Sequence, residues 1–387
     1  MFLEVEIERI LPGGYGLAHA EGKTVFVSLA SPGDRLRVRV DREQGNILFA
    51  SIEAILVASP DRIEPPCPYF GRCGGCDFQQ LTYEKQLAAK AEIIRDCLHR
   101  IARLGHVPEI VVTPSPRDWS YRMRAMWQID QAERTIGYYE RGSRRVCDVA
   151  HCAVLMPELE ETLERVRGTD WQEFPPDLKH LDVVAGENGV WLAPAFAEFE
   201  TTELELTIRG ERYGYNAESF FQINPGLLEP LIEFALHDVS GETAIDLYCG
   251  VGLFTLPLAR RFKQVIGVEA NPKATRFARR NLQRAGLANA RVINTSVVEW
   301  IRSSAARSAA VDFVLLDPPR AGAESAVINR IIDFRAPRVS YVSCDPATLA
   351  RDLKKLIAGG YEIESLVAYD LFPQTHHVET VVRLHLS

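Results

Sequence analysis

In Val339-Ser340-Tyr341-Val342-Ser343-Cys344-Asp345-Pro346 an apolar strand stops at a cysteine, Asp345 is a natural helix N-cap, and Pro346 suits the first helical position. A thiol placed there lies beside the partial positive charge of a helix N-terminus, which favours the nucleophilic thiolate. A half-buried core thiol would use the same residues. Glu379 lies in the terminal strand-like run His376-His377-Val378-Glu379-Thr380-Val381-Val382. Alone it reads as a solvated carboxylate, and it gains interest from the company of Cys344 and Asp317. Asp317 closes Leu315-Leu316-Asp317-Pro318-Pro319-Arg320, where a strand of an α/β sheet delivers residues to a ligand.

A second group of residues suits an adenosyl ligand. Asp246-Leu247-Tyr248-Cys249-Gly250-Val251-Gly252 follows an apolar strand and leads into a helix, so the glycines allow a tight turn and close backbone approach. Glu269 closes the next apolar strand, about 20 residues beyond the first glycine, where an acid accepts ribose hydroxyls. Thr255 replaces the third fingerprint glycine, which a pyrophosphate needs, so S-adenosylmethionine is expected rather than a dinucleotide. Amino-group methyltransferases follow a comparable Asp/Asn-Pro-Pro with an aromatic residue. Arg320 stands at that place and argues against amine methylation.

Cysteine supplies the third group. Cys67, Cys73 and Cys76 fall within one short segment around Gly74-Gly75, Cys147 and Cys152 follow, and Cys97, Cys249 and Cys344 stand apart. The N-terminus, Met1-Phe2-Leu3-Glu4-Val5-Glu6, is acidic and alternating, so a cytoplasmic protein is expected, and there a cysteine cluster reads as metal or redox chemistry before disulfides. Four thiolates would hold a 4Fe-4S cluster or a structural zinc. The spacing is not that of radical enzymes using S-adenosylmethionine.

These residues need elements to position them. From Ala244 onward apolar strands alternate with helices, the signature of a doubly wound α/β domain. Before residue 58, short alternating strands and turns such as Gly13-Gly14-Tyr15-Gly16 suggest a small OB-like β-barrel, with Arg35, Arg37 and Arg39 on one face. A helix is expected over Tyr83 to Leu104, a strand at Ala125–Ile129 and a helix near Leu159–Val166. The expected division is residues 1–58, 59–205 and 206–387. The chain of 387 residues is 47% apolar and 25% charged, which is ordinary globular usage, and no run is long and apolar enough for a membrane helix. Its 44 Lys and Arg against 52 Asp and Glu give a net charge of −8, so a nucleic-acid partner must be held by a local patch. Arg122, Arg124, Arg141, Arg144 and Arg145 form the most basic central segments, and a solvated face is the alternative.

Phe220-Phe221-Gln222-Ile223-Asn224, Asp246 to Gly252, Asp317-Pro318-Pro319-Arg320-Ala321-Gly322, Ser343-Cys344-Asp345-Pro346 and His377-Val378-Glu379 together resemble, in order, the motifs of the RNA 5-methyluridine methyltransferases. The resemblance spans nearly the whole chain. It implies a Rossmann-like α/β methyltransferase domain that uses S-adenosylmethionine, an N-terminal TRAM barrel that binds RNA, and a small α+β central domain. It implies Gln222, Tyr248, Glu269 and Asp317 as the donor site, Cys344 as nucleophile and Glu379 as proton acceptor. Leu253 departs from a position that is often polar in the family. The family's further donor contact between Glu269 and Asp317 falls near Thr295 or Ser296. The resemblance also favours a 4Fe-4S cluster on Cys67, Cys73, Cys76 and Cys152, taking Cys152 over Cys147 although Ala153 stands where members carry Pro. The implied substrate is a uridine in structured RNA, with 23S rRNA placed ahead of tRNA. No feature calls for an obligate protein partner. The alternatives are an amino-group methyltransferase and an RNA-binding or folding factor without catalysis.

Overall fold

The computed structural model describes residues 1–197, 199, 203–307 and 310–387. Strands β1 (Phe2–Glu6), β2 (Arg9–Ile10), β3 (Gly16–Ala20), β4 (Lys23–Val27), β5 (Arg35–Gln44) and β6 (Ile47–Val57) form one sheet in the order β1-β5-β6-β4-β3-β2. The nearly continuous run β1–β2 pairs with β5 through its first part and with β3 through its second, which curls the sheet into the expected barrel. Alternation supplies its core: Leu3, Val5, Val25, Val27, Leu36, Val38, Leu48 and Ala50 point inward. Arg35, Arg37 and Arg39 do face outward, but Arg37 meets Glu4 at 3.0 Å and Arg39 meets Asp41 at 3.3 Å.

Helix α1 (Tyr83–Arg100) is followed by β7 (Val112–Thr113), β8 (Arg124–Asp130), β9 (Thr135–Tyr139), β10 (Val146–Asp148), α2 (Pro157–Gly168), β11 (His180–Gly186) and β12 (Gly189–Ala193). Strands β8 to β12 make an antiparallel sheet in the order β10-β9-β8-β11-β12, covered by Leu159, Leu163 and Val166 of α2. A hairpin, β13 (Leu204–Ile208) with β14 (Glu211–Tyr215), and helix α3 (Leu228–Ala235) lead into the last part.

There the elements are β15 (Gly241–Leu247), α4 (Thr255–Ala259), β16 (Phe262–Glu269), α5 (Pro272–Arg284), β17 (Ala290–Asn294), α6 (Val297–Arg302), α7 (Ser304–Arg307), β18 (Phe313–Leu316), α8 (Ser325–Phe334), β19 (Arg338–Ser343), α9 (Pro346–Ala358), β20 (Tyr361–Tyr369) and β21 (Glu379–Leu386). The sheet order is β17-β16-β15-β18-β19-β21-β20-β7. Strands β15 to β19 are parallel, β21 runs antiparallel between β19 and β20, and the order reverses at β15. This is the doubly wound α/β architecture that the strand–helix alternation predicts, and it agrees with the Rossmann-like domain that the family resemblance implies. The reversal is a topological switch point, and ligands bind outside the carboxyl ends of strands at such a point.

Helix α4 ends at Ala259, because Phe262 already opens β16 beside Gly241. Helix α1 and strand β7 join the catalytic sheet: Ile94, Cys97 and Leu98 pack into the core made by Ile245, Leu316, Val339 and Leu353, and β7 extends the sheet beside β20.

Candidate active site

The glycine-rich turn after β15 bends at Tyr248 (φ +65°), Gly250 (φ +54°) and Gly252 (φ +95°). A Cβ on Gly252 would lie 3.0 Å from Leu256, so glycine there also lets the turn pack on its helix. Glu269, at the end of β16, accepts from the backbone N–H of Gly250 at 3.0 Å and of Asn271 at 2.7 Å, which fixes its carboxylate against the turn. Sequence reasoning passed over Asp246 as a site residue. It is fully buried, and its Oδ2 accepts the hydroxyl of Thr255 at 2.5 Å while Oδ1 has no partner. Burial, with Asp317 and Glu269 nearby, pushes its carboxyl up to about 8. Thr255 at the place of a third glycine thus acquires a reason, since its hydroxyl donates to the buried Asp246 Oδ2.

Asp317 follows β18, and its N–H donates to Leu247 O at 3.3 Å. Gln222, 4% exposed, donates from Nε2 to Asp317 Oδ2 at 3.3 Å. Its neighbour Phe221 stacks on Tyr215 with ring centroids 4.5 Å apart, while Phe220 is exposed. Burial pushes Asp317 up to about 7. The Tyr248 hydroxyl donates to Glu324 at 2.8 Å. Gln222, Asp246, Glu269 and Asp317 therefore converge around the switch point, with Tyr248 on the turn itself.

The catalytic candidates meet one strand further along. Strands β19 and β21 pair antiparallel with Ser343 opposite Thr380, so Cys344, one residue past β19, and Glu379, first in β21, leave the sheet side by side. Asp345 caps α9, its carboxylate accepting Thr348 N–H at 2.8 Å, and Pro346 takes the first turn, as the sequence pattern requires. The thiol's acidity runs against the sequence expectation. Burial, then the carboxylates of Glu379 and Asp317, push Cys344 up to about 12, with Arg320 pulling the other way. Glu379, 2% exposed, is raised well above the carboxylate range by burial and by Asp317, and its Oε1 has no partner. Arg320 opposes that shift as well, so this residue carries the favourable charge at the site and is more than a missing aromatic. Tyr341 and the N–H of Ala323 both donate to buried Asp352 on α9, at 2.8 and 3.0 Å, tying the Asp317–Ala323 loop to the helix that follows Cys344.

The loop before Glu379 is held from outside the catalytic sheet. Asp77 Oδ1 accepts His376 N–H at 2.7 Å, and His376 Nδ1 lies 2.5 Å from Asp77 Oδ2. Gln374 O accepts the N–H groups of Asp77 and Phe78, Gln86 bonds Gln374 at 2.9 Å, and Tyr121 donates to Pro373 O at 2.9 Å. Lys90 pairs with Asp370 in a wholly buried ion pair and donates to Phe372 O at 3.0 Å. No local pattern announces these contacts, because the partners stand hundreds of residues apart.

Asp77 adjoins the cysteine segment. Cys67, Cys73, Cys76 and Cys152 line one pocket with Tyr69, Arg122 and Tyr138, and Cys147 is not among its lining residues. The donor set is chemically suited to a soft metal or cluster, with Arg122 favouring the thiolates of Cys76 and Cys152. Burial pushes the Cys73 thiol up to about 11 and the Cys76 thiol up to about 12. Among the described residues no group of three or more His, Cys, Asp or Glu side chains is assembled to hold a metal ion. The structure thus brings the four expected 4Fe-4S ligands to one pocket without closing them into a metal site.

The basic central segment is also corrected. Arg122 lines that pocket, and Arg124 donates to Ser219 O at 2.6 Å and to Ala217 O, which anchors the stretch leading to Gln222. Arg141 donates to Cys76 O at 2.6 Å. Arg144 and Arg145 remain exposed.

Comparison with known proteins identifies the family. The family model tRNA (Uracil-5-)-methyltransferase matches residues 196–386, and the TRAM domain model matches residues 2–52. An uncharacterized RNA methyltransferase of Halalkalibacterium halodurans is 32% identical over 100% of this chain and 97% of its own. One of Gloeobacter violaceus is 33% identical over 99% and 96%. The crystal structure of Pyrococcus abyssi tRNA (uracil-54, C5)-methyltransferase in complex with S-adenosyl-L-homocysteine superposes with a TM-score of 0.75 at 26% identity, covering 99% of this chain and 100% of that one. No described helix is long and apolar enough to cross a membrane. The chain belongs to the (uracil-5-)-methyltransferase family of RNA-modifying enzymes and is an S-adenosylmethionine-dependent RNA methyltransferase acting at C5 of uracil.

Proposed function

We propose that the enzyme methylates a uridine within structured RNA, 23S rRNA ahead of tRNA, through a covalent bond between Cys344 and C6 of the base. The observation that carries this reading is the β19–β21 register, which sets a thiol and a carboxylate side by side at the strand ends that also present Asp317. Uracil C5 is too weak a nucleophile to take a methyl group unaided. Loss of the Cys344 thiol proton to solvent frees the sulfur to add to C6, which pushes the C5–C6 electron pair onto C5; C5 then attacks the sulfonium methyl and leaves S-adenosylhomocysteine. Glu379, in its carboxylate form, then takes the C5 proton, the C5–C6 double bond re-forms, and the Cys344 thiolate leaves. Gln222, Tyr248, Glu269 and Asp317 form the donor site, with Asp246 and Thr255 beneath it. The target base must leave its stack to reach Cys344.

The residue ranges 1–58, 59–205 and 206–387 serve as RNA-binding barrel, cysteine-bearing segment and catalytic domain, and the enzyme works in the cytoplasm without an obligate protein partner. Cys67, Cys73, Cys76 and Cys152 would hold a 4Fe-4S cluster, which staples the segment that Asp77 connects to the Glu379 loop. Mapping 5-methyluridine in cellular RNA with the wild-type gene and with a Cys344→Ala copy tests the assignment. One uridine in 23S rRNA should lose its methyl group in the variant, and an unchanged map would refute the reading.

A further inference from the structure

The barrel carries a row of side chains that neither its core nor the proposed chemistry uses. Phe26 on β4 is the register partner of Phe49 on β6, and Phe49 that of Arg42 on β5, so the three stand abreast on adjacent strands. The two rings lie 5.5 Å apart, Tyr15 adds a third ring 6.1 Å from Phe26 and 6.0 Å from Phe49, and the Arg42 guanidinium sits 4.2 Å from the Phe49 centroid. All three rings are partly exposed and Arg42 is exposed, while the intervening Val25, Val27, Leu48 and Ala50 fill the interior.

The row adjoins the catalytic loop. Gly14, next to Tyr15, has φ +78°, and a Cβ on it would lie 3.2 Å from His376 Cβ and Nδ1, so this barrel turn rests directly on the loop before Glu379. The rings of His376 and His377 are 4.1 Å apart, and His377 lies 5.8 Å from Phe372. Arg320, whose charge acts on Cys344 and Glu379, acts on His377 as well. Flat rings and one cation, on a barrel whose Gly14 turn meets the loop before Glu379, offer what unpaired bases take up, and on the competing arginine face Arg37 and Arg39 are already paired with acids.

We propose that Tyr15, Phe26, Phe49 and Arg42 form a stacking track for the single-stranded RNA that flanks the target uridine. The inference rests on RNA as substrate, as proposed above. It is tested on the full chain with a single-stranded RNA of about 16 nucleotides carrying 2-aminopurine at successive positions beside one uridine. Stacking should quench the fluorophore. Phe26→Ala and Phe49→Ala should each weaken binding by roughly 5- to 150-fold, the range of one base–aromatic stack, and relieve the quenching. Their salt dependence should stay that of the wild type, whereas Arg42→Gln should flatten it. Phe49→Trp should restore affinity, Arg37→Gln should change little, and donor binding should be unaltered throughout. Wild-type affinity in both Phe variants, or a Trp variant as weak as the Ala one, overturns the track. The two readings fail separately: weakened binding in the Phe variants upholds the track even where the wild-type enzyme makes no 5-methyluridine, a result that overturns the proposed function alone.

Discussion

Replacing Lys90 by Met probes how the barrel-proximal half of the chain holds the catalytic loop. Lys90 on α1 and Asp370, just past β20, are both fully buried, and Asp370 Oδ2 has no partner beyond this pair. Removing the ammonium leaves a carboxylate in a dry site, and breaking such a pair costs about 3–5 kcal/mol. At about 2–4 °C per kcal/mol for a folding unit of this size, the midpoint should fall by roughly 6–20 °C. Scanning calorimetry without donor reads that shift. Adding Asp370→Leu should return most of the loss, because two apolar side chains tolerate the site where one unpaired charge does not. A single variant melting within about 2 °C of wild type, or a double variant as unstable as the single one, would refute the reasoning.

Asp77→Ala removes both bonds to His376, so kcat for methyl transfer should fall with donor KM unchanged; equal changes in both would show a general loss of structure. Cys344, pushed up to about 12, is protonated at pH 8 and gains thiolate only as pH rises toward that value, so its alkylation by iodoacetamide in substrate-free enzyme should be roughly a thousandfold slower at pH 8 than that of an exposed cysteine. A normal rate at pH 8 would contradict the burial argument. Anaerobically purified protein should hold about four irons per chain, lost in Cys152→Ser and kept in Cys147→Ser; a single zinc per chain would contradict the cluster.

The parts of the site that local pattern governs were legible in the sequence. Glu269 ends a parallel strand and the glycine turn, Asp317 and Cys344 follow such strands, and a period-two or strand–helix rhythm places a strand's end from a short window. What escaped depends on distant partners. Asp77 and His376 are brought together only by the tertiary fold, as are Lys90 and Asp370. Arg37 and Arg39 read as an open basic face because Glu4 and Glu53 reach them from other strands, although Asp41 stands only two residues from Arg39. Arg124 read as a phosphate contact because sequence does not show that carbonyls at 217 and 219 enclose it. The helix N-terminus beside Cys344 was legible and its consequence was not. That dipole is worth about 0.3–2 kcal/mol, and burial next to two carboxylates outweighs it.

The covalent step is tested most directly by Glu379→Gln incubated with labelled RNA and labelled donor. Addition by Cys344 and methyl transfer need the thiol and the donor site, which this variant keeps, whereas release needs the base it lacks. Denaturing electrophoresis should therefore show a protein–RNA band carrying the transferred methyl group, and Cys344→Ala combined with Glu379→Gln should show none. A methylated adduct that persists without Cys344, or a Cys344→Ala enzyme that turns over at a near-normal rate, would contradict the account.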